Sequence, residues 1–388
     1  MSLKEPMVSV RIPSYNHEKY IYDCISSILN QTYQDFEIVI VDDCSTDGTV
    51  DVIRSFGDPR IRLEVLKRNS SMNVAVEHCM RLAAGKYVAN LSSDDMWAPT
   101  KLEKQVAFLE SNSEYDAVFT RVELIGEEGG TLKNEEYANI ADIFNCENRK
   151  ASGWLRRFFY EGNCLCNPSV MIKRDVYKSL HYQDKRLLSL SDFDLWVRFS
   201  LRHRLWILDE KLTRFRMRDG NANISAGSAG NKNRAAFEFK QILDNFLDIK
   251  DTDFLLEIFP ECLEFGKPGE IAIPYFLGRL AIQTDFLYHR LWGCEKIFKL
   301  LADEKAAAFL EKQYDFRYSD FLALTKTTDC FGIETVERYI NHTGNLEQVI
   351  RRLENEIDAI HATRSWRATR PLRSLRKLFK QNNPETIK

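Results

Sequence analysis

Carboxylates gathered at the ends of apolar runs are the groups in this 388-residue chain best placed to do chemistry. Asp94 and Asp95 follow the apolar run 87–91, and Asp42 and Asp43 follow the β-branched run 37–41. Adjacent acids on a turn can aim one carboxylate at a divalent cation and the other at a polar ligand. Mg²⁺ and Mn²⁺ prefer carboxylate together with phosphate oxygens and offset charge on leaving phosphates. The competing reading is structural. Asp95 lies four residues before Pro99 and can serve the turn, while Asp42-Asp43 precede Ser45-Thr46-Asp47-Gly48, a turn able to cap a helix from Thr49. Acids at the earlier pair can equally accept hydrogen bonds from a base N–H or ribose hydroxyls. Tyr15 can stack on a base or simply pack.

The elements that must position these groups read as alternating strands and helices. Val8, Val10 and Ile12 alternate in a strand that stops at Pro13, and Ile21, Cys24, Ile25, Ile28 and Leu29 mark one helical face. Residues 62–66, 87–91 and 117–124 read as further strands, and Pro99 opens a helix carrying Leu102, Val106 and Leu109. Strands joined by short helices imply βαβ units, an α/β class and a mainly parallel sheet. Ligands of such sheets bind beyond the carboxyl ends of the strands, where both aspartate pairs fall.

Three blocks then stand in order at strand ends: Pro13-Ser14-Tyr15-Asn16, the segment from Val41 to Thr49 with Asp42-Asp43, and Leu91-Ser92-Ser93-Asp94-Asp95. A later block runs Ser191-Asp192-Phe193-Asp194-Leu195-Trp196-Val197-Arg198. Together with the spacing from Asn69 to Ala83-x-Gly85, they resemble the family 2 inverting glycosyltransferases over residues 7 to 225. The resemblance implies a GT-A, Rossmann-like fold and transfer of a sugar from a nucleotide-diphosphate donor, with UDP the expected nucleotide. It implies that Pro13, Ser14 and Tyr15 border the nucleobase and that Asp43 hydrogen-bonds it. Asp94 would contact ribose or donor sugar, Asp95 would ligate Mn²⁺ or Mg²⁺, and Asp192 would be the catalytic base. A positioned general base is worth on the order of 10²–10⁴-fold on a hydroxyl nucleophile. Asp194 competes for that role, but at a helix start it would point about 200° away from Asp192.

The sequence also departs from the family. Ser92 and Ser71 stand where Asp and Gly are usual, Glu77 where Asn is, and Ser191 replaces the usual Glu. In Phe215-Arg216-Met217-Arg218, Arg218 occupies a position that is His in relatives. Arg218 can pair bidentately with phosphate oxygens or form a surface ion pair. Asn163, Asn167, Pro168 and Ser169 fall where relatives line the acceptor side, or form a plain turn.

The expected domains are 1–230 (glycosyltransferase), 231–344 (α-helical accessory region) and 345–388. In the last, Leu346, Ile350, Leu353, Ile357 and Ile360 form a short heptad seam, a candidate for homo-oligomer contact or for packing on the same chain. Beyond it, Leu372, Leu375, Leu378 and Phe379 lie among basic residues as an amphipathic tail. From residue 361 onward eight basic residues face one acid, so this segment carries +7 while the whole chain is −3. Such a tail suits peripheral contact with an anionic membrane; a solvated tail is the plain alternative. The near-neutral total, with no supporting motif, argues against nucleic-acid binding. Nine scattered cysteines without a CxxC pair suit a reduced cytosolic chain, and no signal peptide or membrane-spanning run is apparent. The enzyme expected is cytoplasmic, at the inner membrane face, acting on a glycan or lipid-linked glycan in surface-polysaccharide assembly. A nucleotidyltransferase would share acidic strand ends and a metal, but residues 9–16 contain no glycine for a phosphate loop. A non-catalytic scaffold on the same fold is the other alternative.

Overall fold

A computed structural model of the protein describes residues 5–132, 138–218 and 228–362. Val8, Val10 and Ile12 are fully buried on β1 (Val8–Ser14), which pairs in parallel with β2 (Phe36–Asp42) and β4 (Tyr87–Asn90). β3 (Ile61–Val65) continues the parallel half beside β2. Gly85 permits the close approach of β1 and the turn into β4: a Cβ there would lie 2.5 Å from the backbone nitrogen of Ser9.

The second half of the sheet is mixed. Its remaining strands are β5 (Met96–Trp97), β6 (Ala117–Ile125), β7 (Met171–Lys173) and β8 (Leu205–Arg216). The eight strands run in the order β3-β2-β1-β4-β7-β6-β8-β5. β7 is antiparallel to both β4 and β6, whereas β6 and β8 are parallel. This is the expected α/β sheet, with antiparallel strands added where the sequence offers too little pattern to read. β5 and β7 are two and three residues long, and β8 carries Asp209-Glu210-Lys211 in its middle. Irregular pairing between Thr120 and Val122 offsets β6 and β8, and β5 then pairs antiparallel with β8 through Met96–Arg214 and Trp97–Thr213. That pairing carries Arg216 to the Asp94-Asp95 turn.

The described residues up to 325 form one compact unit and those from 326 onward another. In the first, helices Ala229–Ile242, Ile273–Ile282 and Leu287–Leu301 share a core with the helices Ala151–Tyr160 and Ser191–Ser200. Phe158, Phe159 and Trp196 from one side and Phe246, Leu277 and Trp292 from the other lie in that single apolar cluster. In the second unit a helix spans Ile333–Ala362. The basic amphipathic tail lies outside the described residues. Among the described residues no helix is long and apolar enough to cross a membrane.

Candidate active site

At the carboxyl ends of β1, β2 and β4 a cleft of about 660 Å³ is lined by Pro13, Ser14, Tyr15, Asp43, Asp94, Asp95, Asp192 and Arg218. The two acids that end β2 do different work. Asp42 is fully buried and accepts from Ser14 Oγ at 2.8 Å and from the Ser45 nitrogen and hydroxyl at 2.7 Å each. It fastens β1 to the following turn. Asp43 faces the cleft and accepts from the backbone nitrogens of Ser70 and Ser71 at 2.7 and 2.9 Å. A carboxylate has about four lone-pair sites, so Asp43 can hold this loop and still meet a ligand. Ser71, in the place where glycine is usual, has φ 102° and so pays backbone strain in that loop.

Asp95 is buried and receives the Arg216 backbone nitrogen at 2.8 Å through Oδ1. Its other oxygen, Oδ2, has no hydrogen bond of normal geometry among the described residues. Burial, reinforced by the charge of Asp94, pushes the Asp95 carboxyl well above the usual range. The Arg216 side chain, 1% exposed, ties the turn to its surroundings: Nε donates to the Asp94 carbonyl at 2.7 Å and Nη1 to the Glu127 carbonyl at 2.6 Å. Arg218 reaches the cleft itself, with Nη1 2.7 Å from His17 Nε2 and 3.6 Å from Asp94 Oδ2. Because a guanidinium only donates, His17 Nε2 accepts, and its Nδ1–H is left to donate to Ser93 Oγ at 2.7 Å. Burial lowers the pKa of His17 despite the opposing pull of Asp94, which agrees with that neutral tautomer.

Across the cleft, Asp192 occupies the first turn of the helix Ser191–Ser200. Protein surrounds its carboxylate, though solvent still reaches part of it through the cleft. Desolvation pushes its pKa up to about 6, against the Phe193 N–H that donates to Oδ1 at 2.8 Å, Asn163 near Oδ2, and the charge of Arg11. Asp194 is turned out of this cleft. It is held by Arg198 at 2.7 Å and by Asn245 Nδ2 at 2.8 Å, so its carboxylate is engaged in structure. The loop before Asp192 is gripped by Glu238, which is 3% exposed and accepts from the backbone nitrogens of Leu188, Ser189 and Leu190, each at 2.8 Å.

Residues 9–180 match the family model described as glycosyl transferase family 2. The sequence is 31% identical over 220 residues to an uncharacterized glycosyltransferase of Methanocaldococcus jannaschii, covering 55% of this chain and 72% of that one. This protein is a family 2 glycosyltransferase. It is also 41% identical over 107 residues to the Escherichia coli UDP-Glc:alpha-D-GlcNAc-diphosphoundecaprenol beta-1,3-glucosyltransferase WfaP, covering 27% of this chain and 42% of WfaP. The crystal structure of S. aureus TarS residues 1–349 shares the fold, with TM-score 0.50 and 17% identity over 77% of this chain and 91% of that one.

The fold of this glycosyltransferase is therefore of the GT-A type. Three of its cleft-building residues escape sequence reasoning. His17 stands directly after the Pro13–Asn16 block, and that adjacency is the only local signal for it. Arg216 stands in the Phe215–Arg218 block but carries no signal of its hold on the Asp94-Asp95 turn, and Glu238 sits in a helical stretch without any catalytic pattern. Of the acceptor-side candidates, Asn167 and Pro168 line the cleft and Asn163 approaches Asp192, while Ser169 is buried and bonded to the Cys166 carbonyl at 2.8 Å.

Proposed function

We propose that this glycosyltransferase moves a sugar from a UDP-sugar to a hydroxyl of a glycan acceptor with inversion at the anomeric carbon, and that Asp192 is its general base. The observation that carries this reading is the pairing of Asp192, its pKa pushed up to about 6, with Asp95 in one cleft. At neutral pH Asp192 is ionised yet more basic than an ordinary carboxylate, which favours proton removal. As the acceptor oxygen attacks, its proton passes to Asp192. The new bond forms between that oxygen and the anomeric carbon, and the bond to the diphosphate oxygen breaks on the opposite face.

The other residues bind and orient. Tyr15, 40% exposed at the cleft, offers a face for the base, with Pro13 and Ser14 beside it and Asp43 as hydrogen-bond acceptor. Asp94 would take ribose or donor-sugar hydroxyls, and Arg218 would meet the diphosphate. Asp95 would hold Mn²⁺ or Mg²⁺: among the described residues its Oδ2 has no hydrogen bond of normal geometry, and in a buried acidic pair a hard cation would satisfy it. Bound there, the cation would supply positive charge to the departing diphosphate.

WfaP takes UDP-Glc and a diphosphoundecaprenol-linked acceptor, and by analogy we assign a lipid-linked glycan of surface-polysaccharide assembly to this chain. The basic tail from residue 361 would bring the enzyme to an anionic membrane surface. Sedimentation with phosphatidylglycerol vesicles at low salt tests that contact, which is abandoned if the full chain stays in solution.

The decisive experiment screens UDP and UDP-sugars with and without Mn²⁺ by thermal shift, then follows UDP release. A ligand at 100 times its Kd should add about 2.7 kcal/mol. Asp95→Ala should lose the Mn²⁺-dependent part of the shift. Absence of any nucleotide-dependent stabilisation in the wild-type protein would reject the proposal.

A further inference from the structure

Beside the cleft lies a second cavity of about 850 Å³, bounded by the 180–187 loop and the helix Ala229–Ile242. The two spaces share Gln183. This residue is only 8% exposed, yet its Oε1 has no hydrogen-bond partner among the described residues. The same holds for the buried hydroxyl oxygen of Ser189, which lines the cleft three residues before Asp192. A buried polar atom left unpaired costs about 1–3 kcal/mol, so these two oxygens, both on the wall of the cleft that Asp192 lines, are placed to gain from a hydrogen-bonding ligand.

The cavity beyond Gln183 has the chemistry of a carbohydrate site. Tyr182 and the 65% exposed Phe237 provide apolar ring faces, and Gln241 and Asn245 provide amides. Two ring faces beside amides and the charged pairs Lys185–Glu77 and Arg186–Asp184 suit a pyranose ring, which has an apolar face and a rim of hydroxyls. The wall is built to keep its shape. Arg198 Nη2 donates to the Tyr182 carbonyl at 2.8 Å, its Nη1 bonds the Leu180 carbonyl, and Asp194 fixes the guanidinium at 2.7 Å. This gives Asp194 and Arg198 a positioning role outside the chemistry.

Resting on the glycosyltransferase reading above, we infer that the acceptor is an oligosaccharide of at least two sugar residues. Its reacting ring would sit at Asp192, hydrogen-bonded by Ser189, and the next ring would cross Gln183 into the second cavity. Affinity is then set by acceptor length as well as by the reacting sugar.

Saturation-transfer NMR on the full chain tests this, with UDP and diamagnetic Mg²⁺ present. The probes are methyl glycosides of glucose, galactose, N-acetylglucosamine and N-acetylgalactosamine, each as mono-, di- and trisaccharide. At least one series should bind about tenfold tighter as the di- or trisaccharide, the worth of roughly one hydrogen bond with ring packing. Gln183→Leu and Phe237→Ala should each remove that gain; for Phe237→Ala, which lines the second cavity and not the cleft, melting temperature and monosaccharide affinity should stay near wild type. Phe237→Ala should also leave UDP binding unchanged. The inference is overturned if no series gains with length, or if the gain survives both substitutions. Failure of wild-type protein to bind UDP would instead strike the donor reading, which this length dependence measures separately.

Discussion

Asp192 meets two opposing demands, and they separate under titration. Desolvation raises its pKa from 3.8 to about 6, so the folded protein holds this proton more tightly than the unfolded chain does. The associated stability is fully present below pH 3.8 and is lost as pH rises through about 6. Ionised at neutral pH, the group costs about 1–3 kcal/mol, reduced by the solvent that reaches the cleft. Asp192→Asn should therefore raise the melting temperature by about 2–4 °C at pH 8 and leave it unchanged near pH 4. The same variant should lose at least about 10²-fold in kcat with UDP affinity intact. Wild-type kcat/KM should fall about tenfold per unit below pH 6, and an acid limb near pH 4 would remove Asp192 as the base. A second residue-scale prediction concerns Ser71, whose φ of 102° is costly for any side chain. Ser71→Gly should stabilise by about 1 kcal/mol in urea denaturation; a loss of stability would show that no strain is stored there.

At the scale of elements, the site is a meeting of turns that the core holds in place. Residues 13–16, 42–49 and 92–95 were legible because strand-end blocks recur locally, with turn residues and acids in a fixed order. Arg218 and Asp192 were legible from their own short blocks. Glu238 and Gln183 were not, because their roles arise from contacts about 50 positions away or from the shape of a cavity, and neither leaves a local pattern. β8 was missed for a related reason: its charged middle hides a strand that parallel pairing with β6 supports. Glu238→Ala would leave three loop N–H groups without their acceptor. A stability loss of at least about 2 kcal/mol should follow, with kcat falling more than UDP affinity. Glu238→Gln, which keeps an acceptor oxygen, should recover part of both. Equal losses in kcat and UDP binding would mean that Glu238 supports the fold generally and has no special hold on the Asp192 loop.

On the scale of the whole molecule, the helix Ile333–Ala362 extends the heptad seam beyond the stretch first apparent in sequence. Val336, Thr343, Ile350 and Ile357 alternate with Tyr339, Leu346 and Leu353 at steps of three and four, and all are exposed in the single chain. β-Branched residues at one core position and mostly leucine at the other favour two parallel strands. Light scattering should find a dimer that the paired change Ile350→Asp and Leu353→Asp converts to monomer; a monomeric wild type at tens of micromolar would dismiss the seam as an interface. The first unit bears on inheritance rather than assembly. Asp192 lies beyond residues 9–180, which match the family model, and the carboxylate gripping its loop arrives from farther still, at position 238. The front of the chain is therefore not an interchangeable cartridge. A chimera joining residues 1–230 to another transferase's helices would inherit the proposed base without its anchor, and should lose kcat while its UDP affinity stays near that of the intact chain.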